Sequence, residues 1–240
     1  MWDKPRALTA LSNLLLVLAS AMMLYAAIHW AIRLPCFSLK VLKVEGMTGH
    51  LARDQVDFIV GRRMKGNFFT VNIDEVRSDF EKLPWVRTVS VRRRWPLEID
   101  VTIEEHVPLA HWGADQLVNT HGEVFDASTE QVLPYFSGPI GSSGDVAREY
   151  ASFSTSVAPL KRRLVQLNLS ARQAWELKLD DGMVVELGRD GVEKRFADFA
   201  ALYARTVGRF NKRIDYVDLR YDNGFAVRIP GWKERTRGAA

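Results

Sequence analysis

Four histidines lie outside the apolar N-terminal segment: His50, His106, His111 and His121. Imidazoles bind metals or carry protons. Zinc sites set them four residues apart on a helix or in the company of cysteines. Here they fall at expected strand ends and turns, with neither arrangement. Cys36 is the only cysteine. A nucleophilic thiolate needs a neighbouring base or cation, and none is evident, so packing is the expected role. The carboxylate pairs Glu104-Glu105 and Asp180-Asp181 are adjacent residues, which point to opposite faces of a strand. One of each pair is expected to be merely solvated. "GRRMKG" (Gly61–Gly66) lacks the Gly-Lys-Ser/Thr ending of a phosphate loop. Arg92-Arg93-Arg94 would suit phosphates or lipid headgroups. The simpler reading is a solvated strand end whose charges discourage edge pairing. Trp85 and Trp95 flank that strand and read as core and turn packing. No constellation of convergent polar groups emerges. The sequence therefore suggests no catalytic residue, no metal, no cofactor and no small-molecule substrate.

The elements that would position these residues begin with an uncharged run, Ala7–Ile32, between Arg6 and Arg33. It exceeds the roughly 20 residues that cross a ~30 Å hydrocarbon layer. Tyr25, His29 and Trp30 lie toward its far end, where amphipathic rings meet headgroups. A cleaved signal peptide would have a shorter apolar core and an A-x-A-like site, whereas "RLPCF" follows here. A retained anchor is expected at residues 7–32, after a leader of residues 1–6. Lys4 and Arg6 before it balance Arg33, Lys40 and Lys43 after it, so charge alone leaves the orientation open.

The chain has 240 residues, 33 of them basic and 29 acidic. Three basic residues and one acidic residue lie in residues 1–36. That leaves 30 and 28, a net of +2, for the remainder. A nucleic-acid binder carries a clear basic excess, so no nucleic-acid partner is expected.

After the anchor, Phe37–Gly46 reads as a strand. A helix at Leu51–Gly61 follows, with Val56, Ile59 and Val60 on one side. Asn72 and Glu75 have capping-box spacing before a helix that buries Val76, Phe80 and Leu83 and ends at Pro84. Val89 and Val91 alternate with polar residues, Trp95-Pro96 turns the chain, and Leu97, Ile99, Val101 and Ile103 form a strand with one wet face. Short strands follow in "PLAHWG", "QLVNTHGEVF" and "VLPYFSGP". "GSSG" (Gly141–Gly144) is the only flexible-looking piece. A helix from Ser143 carries Val146, Tyr150, Phe153, Val157, Leu160 and Leu164, with a break at Pro159. "VQLNLS" and "AWELKLDDGMVVELG" read as strands, the second folded at Asp181-Gly182. A last helix, capped by Asp190 with Glu193, buries Val192, Phe196, Phe199, Tyr203 and Val207.

The chain closes with "VDLRYDNGFAVRIP" (Val217–Pro230), two strands around Asp222-Asn223-Gly224. A strand that ends a chain often sits at a sheet edge with one row of backbone groups unpaired. Val227 is expected to pack inward.

The motifs Leu83-Pro84-Trp85-Val86, Arg93-Arg94-Trp95-Pro96 and Glu105-His106-Val107-Pro108-Leu109-Ala110-His111-Trp112, with the closing Tyr216–Gly224, carry a resemblance. The chain resembles the FtsQ/DivIB family over nearly its whole length. The resemblance implies an α+β fold: one N-terminal transmembrane helix, a POTRA domain (β-α-α-β-β) at 37–106, and a β domain of antiparallel sheet with packing helices at 107–229. Residues 230–240 would be a tail. It implies a non-catalytic scaffold of the bacterial divisome in the cell inner membrane. The N-terminus would be cytoplasmic and the C-terminal domain periplasmic at the septum. The implied partners are FtsB and FtsL, with other divisome proteins. FtsB would add a strand to the last strand of the β domain. The contact positions carried over are Arg172, Arg220 and Tyr221, with the edge Gly224, Phe225, Ala226, Val227 and Arg228. Phe225 departs from a family member that has Ala there, so the partner strand is expected to be adjusted. Two rivals stand beside this reading. One is a POTRA-type translocation component, although no barrel-length run of strands follows. The other is a membrane-anchored cell-wall hydrolase, which would need a nucleophile or metal cluster.

Overall fold

The computed structural model describes residues 5–32, 41–46, 49–64, 66–203, 205–210, 213–221 and 224–231. Cys36, the first four residues of the expected strand at 37–46, Asp222-Asn223 and the tail beyond 231 lie outside them. The chain divides into two compact units, Met1–Glu105 and His106–Ala240.

The first unit opens with helix α1 (Pro5–Ile32). Its segment Thr9–Ile32 is long and apolar enough to cross a membrane. Leu16, Met22 and Met23 stand exposed along it, with no protein packed over them. Then come β1 (Val41–Glu45), α2 (Arg53–Arg63), α3 (Ile73–Glu81), β2 (Val86–Arg94) and β3 (Glu98–Glu105). The sheet order is β1-β3-β2, with β1 parallel and β2 antiparallel to β3. The central place of β3 explains its pattern. Ile99, Val101 and Ile103 are buried under the helices, while Thr102 and Glu104 face out. Helix α3 starts where the side chain of Asn72 accepts from the N–H groups of Asp74 and Glu75, satisfying two orphan donors. Val76 and Phe80, one turn apart, are wholly buried, each contributing about 1.5–3 kcal/mol. Val56 and Ile59 do the same for α2. Trp95 differs from the sequence expectation: it is 83 % exposed at the tip of the β2–β3 hairpin. The tip lies beyond the core residues of the two strands, so no core forms around the ring.

The second unit contains β4 (Pro108–Trp112), β5 (Gln116–Asn119), β6 (Val124–Phe125), β7 (Tyr135–Ser137), α4 (Ser143–Ser156), β8 (Leu164–Leu169), β9 (Trp175–Leu179), β10 (Val184–Gly188), α5 (Val192–Tyr203), β11 (Tyr216–Asp218) and β12 (Ala226–Arg228). Among the described residues they make a nine-stranded sheet in the order β12-β11-β10-β9-β8-β7-β4-β5-β6. Most pairs are antiparallel. The pairs β4–β7, β7–β8 and β10–β11 are parallel. Parallel neighbours need a long crossover. Helix α4 supplies it between β7 and β8, and α5 between β10 and β11. Both helices bury an aromatic stripe. Phe153 of α4 meets Phe196 of α5 edge-on, with centroids 5.8 Å apart, above Leu167, Leu177 and Val185 of the sheet.

Two local expectations are corrected. "GSSG" is an ordered helix start: the Ser142 hydroxyl donates to Pro139 O at 2.7 Å and the Ser143 hydroxyl to Gly122 O at 2.7 Å. The first turn of α5 closes from the Arg195 N–H onto Gly191 O, one residue later than the expected cap at Asp190. Pro159 sits in a separate 3-10 turn, Ala158–Leu160, as its missing N–H requires.

Candidate functional site

Side chains with chemical potential are dispersed and engaged. His50 stacks on Trp85 at 4.0 Å and contacts the buried Glu105 carboxylate at 3.3 Å. His106 stacks on Phe125 at 4.1 Å and meets Asn119. His111 stacks on Tyr135 at 4.7 Å. Glu104 accepts from Arg87 at 2.7 Å on the wet face, while Glu105 is buried, so this pair splits as strand alternation demands. Asp181 accepts from the Met183 N–H within the hairpin turn and pairs with Arg162; Asp180 pairs with Arg163. Arg93, expected to be merely solvated, donates to two backbone carbonyls, Phe68 O at 2.9 Å and Val71 O at 2.6 Å. Among the described residues, no three His, Cys, Asp or Glu gather as metal ligands.

The closing strand differs from these. β12 is the terminal strand of its sheet, antiparallel to β11, with Tyr216, Val217 and Asp218 opposite Arg228, Val227 and Ala226. The direction of its backbone groups follows from β11. The Leu219 N–H donates to Glu186 O, and Asp215 O accepts from the Val184 N–H. In a parallel ladder this turns the N–H and C=O of Val217 toward β10. Those of Tyr216 and Asp218 then face β12, and their partners Arg228 and Ala226 face back. By alternation, the N–H and C=O of Val227 point to the open edge.

The side chains alternate too. Phe225 packs edge-on against Phe199 at 5.2 Å, and Phe225 and Ile229 both belong to the core periphery. Val227 shares their face but lies at the rim and is 38 % exposed, against the expectation that it packs inward. On the other face, the Arg228 guanidinium lies 5.1 Å from the Tyr216 ring centroid.

Arg220 is committed within its own chain. Nε and Nη2 donate to the two carboxylate oxygens of Asp218 at 2.9 and 2.7 Å, and Nη2 lies 2.9 Å from Glu186 Oε2. The guanidinium holds the Asp218 carboxyl below the usual carboxylate range, against the opposing pull of burial. The Tyr216 hydroxyl donates to Glu186, and burial first, then that carboxylate, pushes its pKa up to about 12. Sequence reasoning missed this network. Its signal was the Tyr-x-Asp-x-Arg alternation, which places Tyr216, Asp218 and Arg220 on one face.

The registers bring the candidate positions to one end of the sheet. Trp175 opposes Gly188, Glu186 opposes Asp218, and Asp218 opposes Ala226. The β8–β9 turn bearing the exposed Arg172 therefore lies at the same end as Arg220, Tyr221 and Gly224. Three strand spacings, about 14 Å, separate β9 from β12. Tyr221 is 60 % exposed although Val217 and Leu219 are buried. β11 has ended by then, and the core no longer captures the ring.

Comparison with known proteins gives this edge a context. The family model described as "Cell division protein FtsQ/DivIB, C-terminal" matches residues 110–220, and a "POTRA domain, FtsQ-type" model matches residues 37–106. "Cell division protein FtsQ" of Nitrosospira multiformis is 42 % identical over 233 residues, covering 95 % of this chain and 99 % of the relative. The chain belongs to the FtsQ/DivIB family. The FtsQ of Burkholderia pseudomallei is 40 % identical over 240 residues (97 % of this chain, 96 % of the relative). That of Escherichia coli is 34 % identical over 234 residues (92 % and 82 %). An FtsQ-family chain has a divisome role and divisome protein partners. With one N-terminal apolar helix, it is a single-pass membrane protein of the division site. The FtsQ/DivIB model ends at residue 220, so Tyr221 and β12 lie beyond the matched segment.

Proposed function

We propose that the chain is a non-catalytic scaffold whose β12 edge receives a strand from FtsB within an FtsB–FtsL pair, linking early and late division proteins. The outward N–H and C=O of Val227 carry the reading: they form the start of an unfilled ladder that an extended segment completes. Gly224 gives that segment close backbone approach, since nothing lies within 4 Å of a Cβ built there. Tyr221 supplies an exposed ring. Arg172 supplies a cation for an acidic partner side chain. Arg220 meets the partner with its charge already shared with Asp218 and Glu186, so its main part is to shape the turn that presents Tyr221. The side chain of Phe225 holds the edge strand to the core, leaving its backbone for the partner. The leader is cytoplasmic, α1 crosses the membrane, and the folded residues after it are periplasmic.

The test is titration of the full chain in detergent with an FtsB–FtsL pair. Tyr221→Ala and Arg172→Glu are each expected to weaken binding about thirtyfold, from the ~2 kcal/mol typical of interface anchors. Two folded variants that bind like the parent would place the docking site elsewhere. Orientation is read separately. A reporter active only in the periplasm, fused after Ala240, is expected to be active, and a silent fusion beside an active cytoplasmic one reverses the topology.

A further inference from the structure

One side chain, Asn67, ties the end of the apolar helix to the folded part of the first unit that follows it. Asn67 is buried, and its two amide functions serve two partners. Oδ1 accepts from the N–H groups of Phe69 and Thr70 and from the Thr70 hydroxyl, each at 3.0 Å. Nδ2 donates to the carbonyl of Ile32 at 2.5 Å. Ile32 ends α1, where four carbonyls lack an intrahelical donor. Arg93 holds the carbonyl of Phe68 inside the same turn and that of Val71 just after it. Within it, Phe68 is buried, while Phe69 meets it edge-on at 5.2 Å and remains 47 % exposed.

Depth decides what covers that ring. The apolar segment Thr9–Ile32 has 24 residues. At 1.5 Å per residue it is about 36 Å long, against a hydrocarbon layer of about 30 Å. Its Ile32 end therefore lies at the headgroup level. Exposed Trp30, two residues earlier, is the kind of ring that marks that level. One hydrogen bond away, the Asn67–Thr70 turn lies at the same depth. We propose that this turn is a membrane-surface anchor. The ring of Phe69 enters the headgroup region beside the end of α1, and the Asn67 amide fixes it there. The occupant is the lipid bilayer because the turn continues from a segment the bilayer already surrounds. The sheet and helices that follow α1 in the first unit are then seated on the membrane surface.

The experiment uses the full chain with Cys36→Ser and a single new cysteine, Phe69→Cys, carrying an environment-sensitive fluorophore. It is reconstituted in phosphatidylcholine vesicles. A second preparation carries the fluorophore at Tyr221→Cys. Quenching is measured with lipids bearing a nitroxide near the headgroup and with aqueous iodide. At position 69, lipid quenching is expected to be several-fold stronger, and iodide quenching several-fold weaker, than at position 221. Adding Asn67→Asp keeps the acceptor that orders the turn and removes the donor to Ile32. It is expected to move both readings toward those of position 221, with unchanged circular dichroism. Equal readings at 69 and 221 overturn the proposal. So does a label shielded from iodide yet unquenched by lipid, which would mean that protein covers it. Lipid quenching at 69 that survives Asn67→Asp overturns the tethering role of Asn67.

Discussion

Arg220 grips Asp218 at two points, Nε to Oδ1 at 2.9 Å and Nη2 to Oδ2 at 2.7 Å, one residue away from the exposed ring of Tyr221. Asp218 also accepts from the Arg220 backbone N–H at 3.0 Å, so the pair closes a tight turn at the end of β11. The strand stops there, and the next side chain stands clear of the core.

The pair makes stability pH-dependent with a definite sign. The folded-state pKa of Asp218 is depressed, chiefly by Arg220. Its contribution is therefore present above the unfolded carboxylate value of about 4 and is lost as pH falls through the lower folded value. Arg220→Ala is expected to lower the urea midpoint at pH 7. The gap to the parent should narrow below about pH 4. A gap constant from pH 7 to pH 3 would show that the pair does not act through the Asp218 charge.

Proline substitution separates the two sides of β12. At Val227 the lost N–H points to the open edge, so Val227→Pro should leave the β11–β12 ladder paired and abolish strand addition. At Ala226 the lost N–H faces Asp218, so Ala226→Pro should also loosen β12 itself. Amide hydrogen exchange of Tyr216 and Asp218 reads the difference. Protection should persist in the first variant and fall in the second.

Phe225 is expected to matter for stability even without a partner. Its ring packs on Phe199 at the margin of the core. Phe225→Ala should cost about 1–2 kcal/mol, part of the full Phe→Ala loss because the site is half-buried. Phe225→Leu should recover most of it. Denaturant titration of the chain alone decides, and an unchanged midpoint for Phe225→Ala would assign the ring to the partner.

In the first unit, Gly46 follows β1 with φ +95, and a Cβ there would fall 2.0 Å from the carbonyl oxygen of Ile103 in β3. Both the backbone conformation and the close approach demand glycine. Gly46→Ala is expected to destabilise the first unit by at least about 2 kcal/mol, with the second unit unaffected. Separate unfolding transitions in calorimetry would show it; coincident shifts in both units would contradict it.

The sequence alone determined those features whose causes are local. The uncharged run predicts α1 because helix length and hydropathy need no partner. Ile99, Val101 and Ile103 announce the core face of β3 by alternation, and Asn72 announces α3 by capping chemistry. Asp181-Gly182 sets a hairpin because the turn type is chosen by two residues. Even the terminal strand is legible, since it follows the last turn signal. Tertiary structure decided whatever depends on which elements become neighbours. Helix α5 had to cross over before β11 could lie parallel to β10, and only that pairing turns the Val227 backbone outward. Burial at the rim follows from coverage, so Trp95 and Val227 stay exposed despite apolar side chains. Charge partners follow from register: Glu186 reaches Arg220 from a strand more than thirty residues earlier. Side-chain type is written in the chain, but exposure and partnership depend on contacts that form only when distant strands come together.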